Sequence, residues 1–173
     1  MFVKFSCIKY CKSIIFFTLV RINIQKMIIS FDLDNTLIPY HEEFTVYDKT
    51  FLHKITNTES IRIGTKTIFN ELKNRDCEIW IYTTSYRSIF TIKKIFWFHG
   101  LKPKKIINET VNQKKLKSIN CKASKNPKAF GIDIHIDDSL GVKMEGEKLG
   151  FKTIILKTID YDWVNTILTE IDN

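Results

Sequence analysis

Residues 27–37 read M-I-I-S-F-D-L-D-N-T-L: five mostly apolar residues run into two carboxylates, Asp32 and Asp34, and then a hydroxyl, Thr36. An apolar run of that length bounded by polar residues suits a buried strand. Open α/β sheets collect their ligands at the carboxyl ends of the strands, so this polar tail falls where a site is expected.

Downstream, residues 38–62 are polar and aromatic with little period. Pro39 and the pair Glu42 and Glu43 argue against a long helix there, and residues 44–47 are read as a short strand. From Thr65, Ile68, Phe69 and Leu72 fall at helical spacing behind Gly64, with a terminating turn at residues 74–76. Residues 78–82, E-I-W-I-Y, read as a strand. It ends in Thr83, Thr84 and Ser85, where a second helix is expected to start, turning Ile89, Ile92, Ile95 and Phe96 inward and stopping at Gly100.

A short strand follows near residues 105–108, and residues 109–128 form a polar, lysine-rich segment with no assigned element. In residues 131–138, G-I-D-I-H-I-D-D, isoleucines alternate with Asp133, His135 and Asp137. A helix near 142–149, a strand at 152–156 and a last helix at 163–171 complete the pattern. Strands alternating with helices predict an α/β fold: a Rossmann-like, mainly parallel sheet with helices on both faces. Neither a repeat nor a linker divides residues 27–173, which read as a single domain.

The 173 residues suffice for one domain with a real core, and 44% hydrophobic with 27% charged residues is ordinary for a globular protein. The four cysteines, Cys7, Cys11, Cys77 and Cys121, are too few and too unevenly spaced for a disulfide framework or a zinc site, and read as reduced thiols of a cytoplasmic protein. The formal charge of +8 is local. Residues 1–26 hold Lys4, Lys9, Lys12, Arg21 and Lys26 and no acid, residues 93–128 hold eleven lysines against Glu109 alone, and the remainder is acidic. That lysine-rich segment either receives a phosphorylated or polyanionic partner, nucleic acid included, or is a set of solvated surfaces. In residues 1–26 the apolar run 14–20 is too short to span a membrane, and no small-x-small cleavage site follows it. The expectation is that Met27 is the working start and residues 1–26 are a disordered extension or a gene-start artefact.

Three strand ends then carry polar groups: Asp32, Asp34 and Thr36; Thr83 and Ser85; Asp137 and Asp138. In a parallel sheet they converge on one rim. Carboxylates crowded on a rim call for a cation, and hard oxygen ligands suit Mg2+. Metal, carboxylates, hydroxyls and a lysine are the equipment of phosphoryl transfer.

The run F-D-L-D-N-T-L resembles the first motif, D-x-D-x-T, of the haloacid dehalogenase-like (HAD) superfamily. The strand I-W-I-Y-T-T-S and the later I-H-I-D-D follow in that family's order, and the resemblance covers residues 27 to about 160. The T-x-S ending is similar to that of capless members such as the carboxyl-terminal-domain protein phosphatases and polynucleotide 3′-phosphatases.

The resemblance implies Asp32 as a nucleophile that forms an aspartyl-phosphate, and Asp34 as the acid that protonates the leaving oxygen and later activates water. An acid two residues after the nucleophile implies a phosphatase or phosphotransferase rather than a dehalogenase. Thr36 is expected to hold the loop by bonding near Asp34. Thr83, or Thr84 if the strand end is displaced by one, is expected to donate to a phosphoryl oxygen. Mg2+ would be held by Asp32, the Asp34 carbonyl and Asp138, with Asp137 behind. Lys125 is the expected third-motif lysine, ahead of Lys128 and Lys122, with Lys114 and Lys115 as further candidates. His135 reads as a hydrogen-bonded structural residue. Arg87 reads as a receptor for a second substrate anion or as a plain surface arginine.

About 25 residues between the first two catalytic strands are free of helix, enough for a flap but not for a cap of domain size. The expected activity is Mg2+-dependent hydrolysis of a small phosphomonoester. A phosphatase of nucleic-acid ends or phosphoprotein, and a non-catalytic polyanion-binding protein on the same fold, are the alternatives.

Overall fold

The apolar run after Met27 forms β1 (Ile28–Phe31), the central strand of a five-stranded sheet. A computed structural model describes residues 26–173 apart from Glu42 and Thr50, so the expectation for residues 1–25 lies outside the described residues. After β1 come α1 (Phe51–Ile55), α2 (Thr65–Asn74), β2 (Glu78–Tyr82), α3 (Ile89–Phe98), β3 (Lys105–Ile107) and α4 (Glu109–Ser118). A short 3-10 turn (Pro127–Phe130), β4 (Ile134–Asp137), α5 (Leu140–Leu149), β5 (Lys152–Ile155) and α6 (Trp163–Asp172) complete the chain.

The strand order is β3-β2-β1-β4-β5 with every pair parallel. The chain moves outward from β1 through β2 to β3, then returns to lay β4 on the other side of β1. The order therefore reverses at β1, and a crevice opens beyond its carboxyl end.

Strand alternation sorts the core into two layers. Ile29, Phe31, Ile79, Ile81, Ile134 and Ile136 face α2, α3 and α6, which contribute Phe69, Phe96 and Ile167 to the larger cluster. Trp80, Tyr82 and Ile107 face the opposite way, where Ile132, Val111 of α4 and Phe130 cover them. On that second side Ser30 and His135 also stand together, and α5 packs Gly146 against Phe151 and Thr153 of the β5 edge. Helices thus cover both faces, and no inserted domain occurs among the described residues.

Two local expectations are corrected, and the unassigned segment acquires an element. Residues 44–47 make no strand, only a single antiparallel bridge from Val46 to Arg62. The helix after β2 does not begin at residues 83–85: the chain stays non-helical until Ser88 caps α3 by accepting from the Thr91 N–H. Residues 109–128 do contain a helix, α4. It buries only Asn112 and Leu116, so its apolar stripe is too thin to show as periodicity. Its legible signal is Asn108, whose side chain accepts from the Val111 N–H, followed by Glu109 in the first turn.

Candidate active site

Asp32 extends β1 by one residue, its N–H donating to the Ile136 carbonyl of β4 at 2.8 Å. The chain then turns sharply. Leu37 and Ile38 both donate to the Leu33 carbonyl at 2.9 and 2.8 Å, Asn35 donates back to Ile38 at 2.7 Å, and Asn35 takes a left-handed φ of 56°. Leu33 and Leu37 are buried and anchor the turn, which leaves Asp34 half-buried at the rim. The expectation for Thr36 is corrected: its hydroxyl is buried with no hydrogen-bond partner among the described residues, and the loop is held by its backbone.

Lys125 is 3% exposed and lies between two carboxylates, with Nζ donating to Asp32 Oδ1 at 2.5 Å and to Asp137 Oδ2 at 2.6 Å. Its loop is clamped from three sides. Ser124 and Lys125 donate backbone N–H groups to Glu145 at 2.7 and 3.1 Å, and the Ser124 carbonyl accepts from Asn112 Nδ2 at 2.8 Å. The Tyr82 hydroxyl accepts from the Asn126 N–H at 2.9 Å and donates to Asn112 Oδ1 at 2.5 Å. Lys114, Lys122 and Lys128 are exposed and Lys115 is half-buried on α4. None of these four makes an ion pair among the described residues.

At the end of β4, Asp137 is 1% exposed and both of its oxygens accept hydrogen bonds. Oδ1 accepts from the Ser139 N–H at 2.8 Å, and Oδ2 accepts from Lys125 and from His135 Nε2 at 2.9 Å. His135 is fully buried with Nδ1 2.8 Å from the Ser30 hydroxyl, and burial together with the Lys125 charge pushes its pKa down. A neutral imidazole satisfies both contacts, its Nε2–H donating to Asp137 and its Nδ1 accepting from Ser30. His135 thus serves to hold Asp137.

Burial dominates the electrostatics of Asp32 and drives its pKa up to about 7, Lys125 opposing and Asp137 adding to the rise. For Asp137 burial also pushes upward, but the His135 hydrogen bond and the Lys125 charge outweigh it and hold the carboxyl below its ordinary range. The neighbouring Asp138 is half-buried and is shifted upward by desolvation and by Asp137.

Over this cluster opens a cleft of 470 Å3 lined by Asp32, Asp34, Tyr40, Thr84, Lys125 and Asp138, among others. Asp32, Asp137 and Asp138 each offer an oxygen within 4.8 Å of the others. Four carboxylates but only two cations, Lys125 and Arg87, line the cleft, and both cations are paired. The surplus negative charge and the all-oxygen donor set fit a hard divalent cation.

Thr83 does not line this cleft. It is buried, its hydroxyl accepting from the Ser85 N–H at 3.1 Å, while Thr84 and Ser85 face the opening. Arg87 is neither a free anion receptor nor a plain surface arginine: it bonds Asp34, Glu59 and Ser85. Sequence reasoning missed Glu59, Tyr82, Asn112 and Glu145. Only Tyr82, the last residue of β2 and on the face opposite Ile81, carried a readable signal.

Neither a family model nor a curated protein sequence matches the chain. Among solved structures, a HAD-superfamily hydrolase of subfamily IA, variant 1, from Geobacter sulfurreducens PCA matches with a TM-score of 0.52 at 12% identity, over 84% of this chain and 99% of that one. A HAD family enzyme from Bacteroides thetaiotaomicron in a magnesium complex matches with a TM-score of 0.51 at 15% identity, over 82% of this chain and 98% of that one. At such identities the likeness is one of fold. The chain has the HAD-like fold that its D-x-D-x-T stretch, together with the I-W-I-Y-T-T-S and I-H-I-D-D runs that follow it, predicted.

Proposed function

We propose that the chain is a Mg2+-dependent phosphomonoester hydrolase working through an aspartyl-phosphate on Asp32. The observation that carries this reading is the Lys125 ammonium bridging Asp32 and Asp137 at the bottom of the strand-end crevice, with the second carboxylate, Asp34, at its rim. Burying a lysine between two carboxylates is costly, and such charge clusters in a cleft gather at functional sites.

In this reading Asp32 attacks the phosphorus opposite the ester oxygen. The ester P–O bond breaks as Asp34 passes a proton to the departing oxygen. Water then attacks the phosphorus and yields a proton to Asp34, and the P–O bond to Asp32 breaks to release phosphate. Lys125 keeps Asp32 in place and balances charge on the phosphoryl group. Thr84 and Ser85 offer hydroxyl donors at the opening, and Thr83, buried behind them, acts by shaping the turn. Asp32, the Asp34 carbonyl, Asp138 and, behind them, Asp137 would hold Mg2+, which when bound supplies positive charge against the phosphoryl oxygens. Both cleft cations are already paired, so the opening suits a substrate with a single phosphate, a small phosphorylated metabolite.

The test is turnover of an aryl phosphate by the full chain with and without Mg2+, beside Asp32→Asn. The expectation is Mg2+-dependent turnover that Asp32→Asn reduces by at least about a thousandfold. Metal-independent turnover, or an active Asp32→Asn variant, contradicts the mechanism.

A further inference from the structure

Glu59 lies in the segment between α1 and α2, flanked by the buried residues Thr58 and Ser60. Its carboxylate oxygens accept from Arg87 Nη2 at 2.7 Å and Nε at 2.8 Å, a fork-to-fork pair that fixes the plane of the guanidinium. The remaining nitrogen, Nη1, donates to Asp34 Oδ1 at 2.7 Å, Asp34 Oδ2 at 3.0 Å and Ser85 Oγ at 2.7 Å. The Arg87 backbone is fixed as well, its carbonyl accepting from Asn108 Nδ2 at 3.0 Å. One edge of Arg87 is committed to Glu59 and the other to Asp34, which leaves no edge for a substrate anion.

The geometry points to Arg87, locked by Glu59, as the positioning residue for Asp34, holding that carboxylate where it meets the ester oxygen. The inference rests on the phosphatase reading of the cleft. A free aspartate side chain samples several rotamers, and displacing an acid by about an ångström costs roughly a hundredfold in rate. A carboxyl group bonded to a fixed guanidinium is limited to one orientation, and with one oxygen accepting from Nη1 the other carries the proton that passes to the ester oxygen. The segment between β1 and β2 thereby acquires a role, carrying Glu59 to the rim on a backbone anchored by buried neighbours. The Lys94 ammonium, donating to the Thr56 carbonyl at 3.2 Å, ties the same segment to α3.

Positioning of an acid has a signature that structural support or substrate binding lacks. The ratio kcat/KM reports events up to departure of the leaving group, and an ester with a good leaving group needs no proton from Asp34. The experiment compares kcat/KM for phenyl phosphate and 2,4-dinitrophenyl phosphate in the unaltered full chain, Arg87→Ala and Glu59→Gln. The expected result is a loss of about tenfold or more on phenyl phosphate and less than about twofold on the dinitrophenyl ester, in both variants. Because both esters are read in one preparation, a partly folded variant scales them together and leaves their ratio informative. Glu59→Gln, a half-exposed and isosteric change, supplies the test if Arg87→Ala does not fold. Equal losses on both esters, or no loss on either, overturn the positioning role while leaving the phosphatase reading intact. Absence of turnover in the unaltered chain overturns the phosphatase reading and the positioning role with it.

Discussion

Lys125 sits 2.5 and 2.6 Å from two carboxylates that are themselves buried, so its charge stabilises the site only as part of the trio. Lys125→Met keeps the length of the side chain and removes the charge. Asp32, whose pKa burial and Asp137 raise, then takes up a proton and Asp137 loses its ammonium partner, with an expected loss of about 1–3 kcal/mol of stability, read by urea denaturation. A change below about 1 kcal/mol contradicts the buried trio. His99 provides a second test at this scale. Burial, with His53 and Lys66 adding, lowers its pKa from 6.5 to about 4, so the folded chain keeps it neutral while the unfolded chain protonates it on acidification. Its share of the stability change is therefore absent above about pH 6.5 and becomes a growing loss as the pH falls toward 4. His99→Gln removes that loss, so the variant's stability relative to the unaltered chain rises between about pH 7.5 and pH 4.5. Parallel pH dependences contradict the assignment. Lys125 was expected from the family resemblance, on the asparagine and proline that follow it, although Asp137 lies only twelve residues on, short of that family's usual separation. Thr36 was misread and Glu59 missed for a shared reason: a hydroxyl's or carboxylate's partner in a loop depends on where distant chain segments pass, which no local pattern encodes.

At the scale of the elements, the strands were legible because alternation and β-branched runs are local properties. The isoleucines of β4 face α2, α3 and α6 while His135 and Asp137 face the other layer, as the period of two requires. α4 was illegible because burial of two residues in ten gives no stripe to read. α5 depends on close approach rather than on periodicity. A Cβ added to Gly146 meets the Phe151 carbonyl at 2.8 Å and Thr153 Oγ1 at 2.9 Å. Gly146→Ala gains helix propensity yet forces α5 off β5, with an expected net loss of about 1–3 kcal/mol by thermal or urea denaturation. A neutral or stabilising effect contradicts that packing.

Across the whole molecule, sheet order turns separate motifs into one site. The reversal at β1 sets its carboxyl end beside those of β2 and β4, so residues as far apart as Asp34, Arg87 and Asp138 share a cleft. The same topology divides the lysine-rich segment. α3 covers one face, β3 is the sheet edge and α4 covers the other face, so these lysines do not gather on a single surface. That arrangement gives the polyanion alternatives no support beyond composition. No helix among the described residues is long and apolar enough to cross a membrane. The covalent role of Asp32 is read out by trapping the phosphorylated side chain. The full chain is mixed with Mg2+ and an aryl phosphate, quenched in acid and treated with borohydride, which reduces an acyl phosphate to the alcohol. Peptide mass spectrometry should then find the reduced side chain at position 32, dependent on both Mg2+ and substrate. Turnover with position 32 unmodified, or with the modification at another residue, contradicts the account.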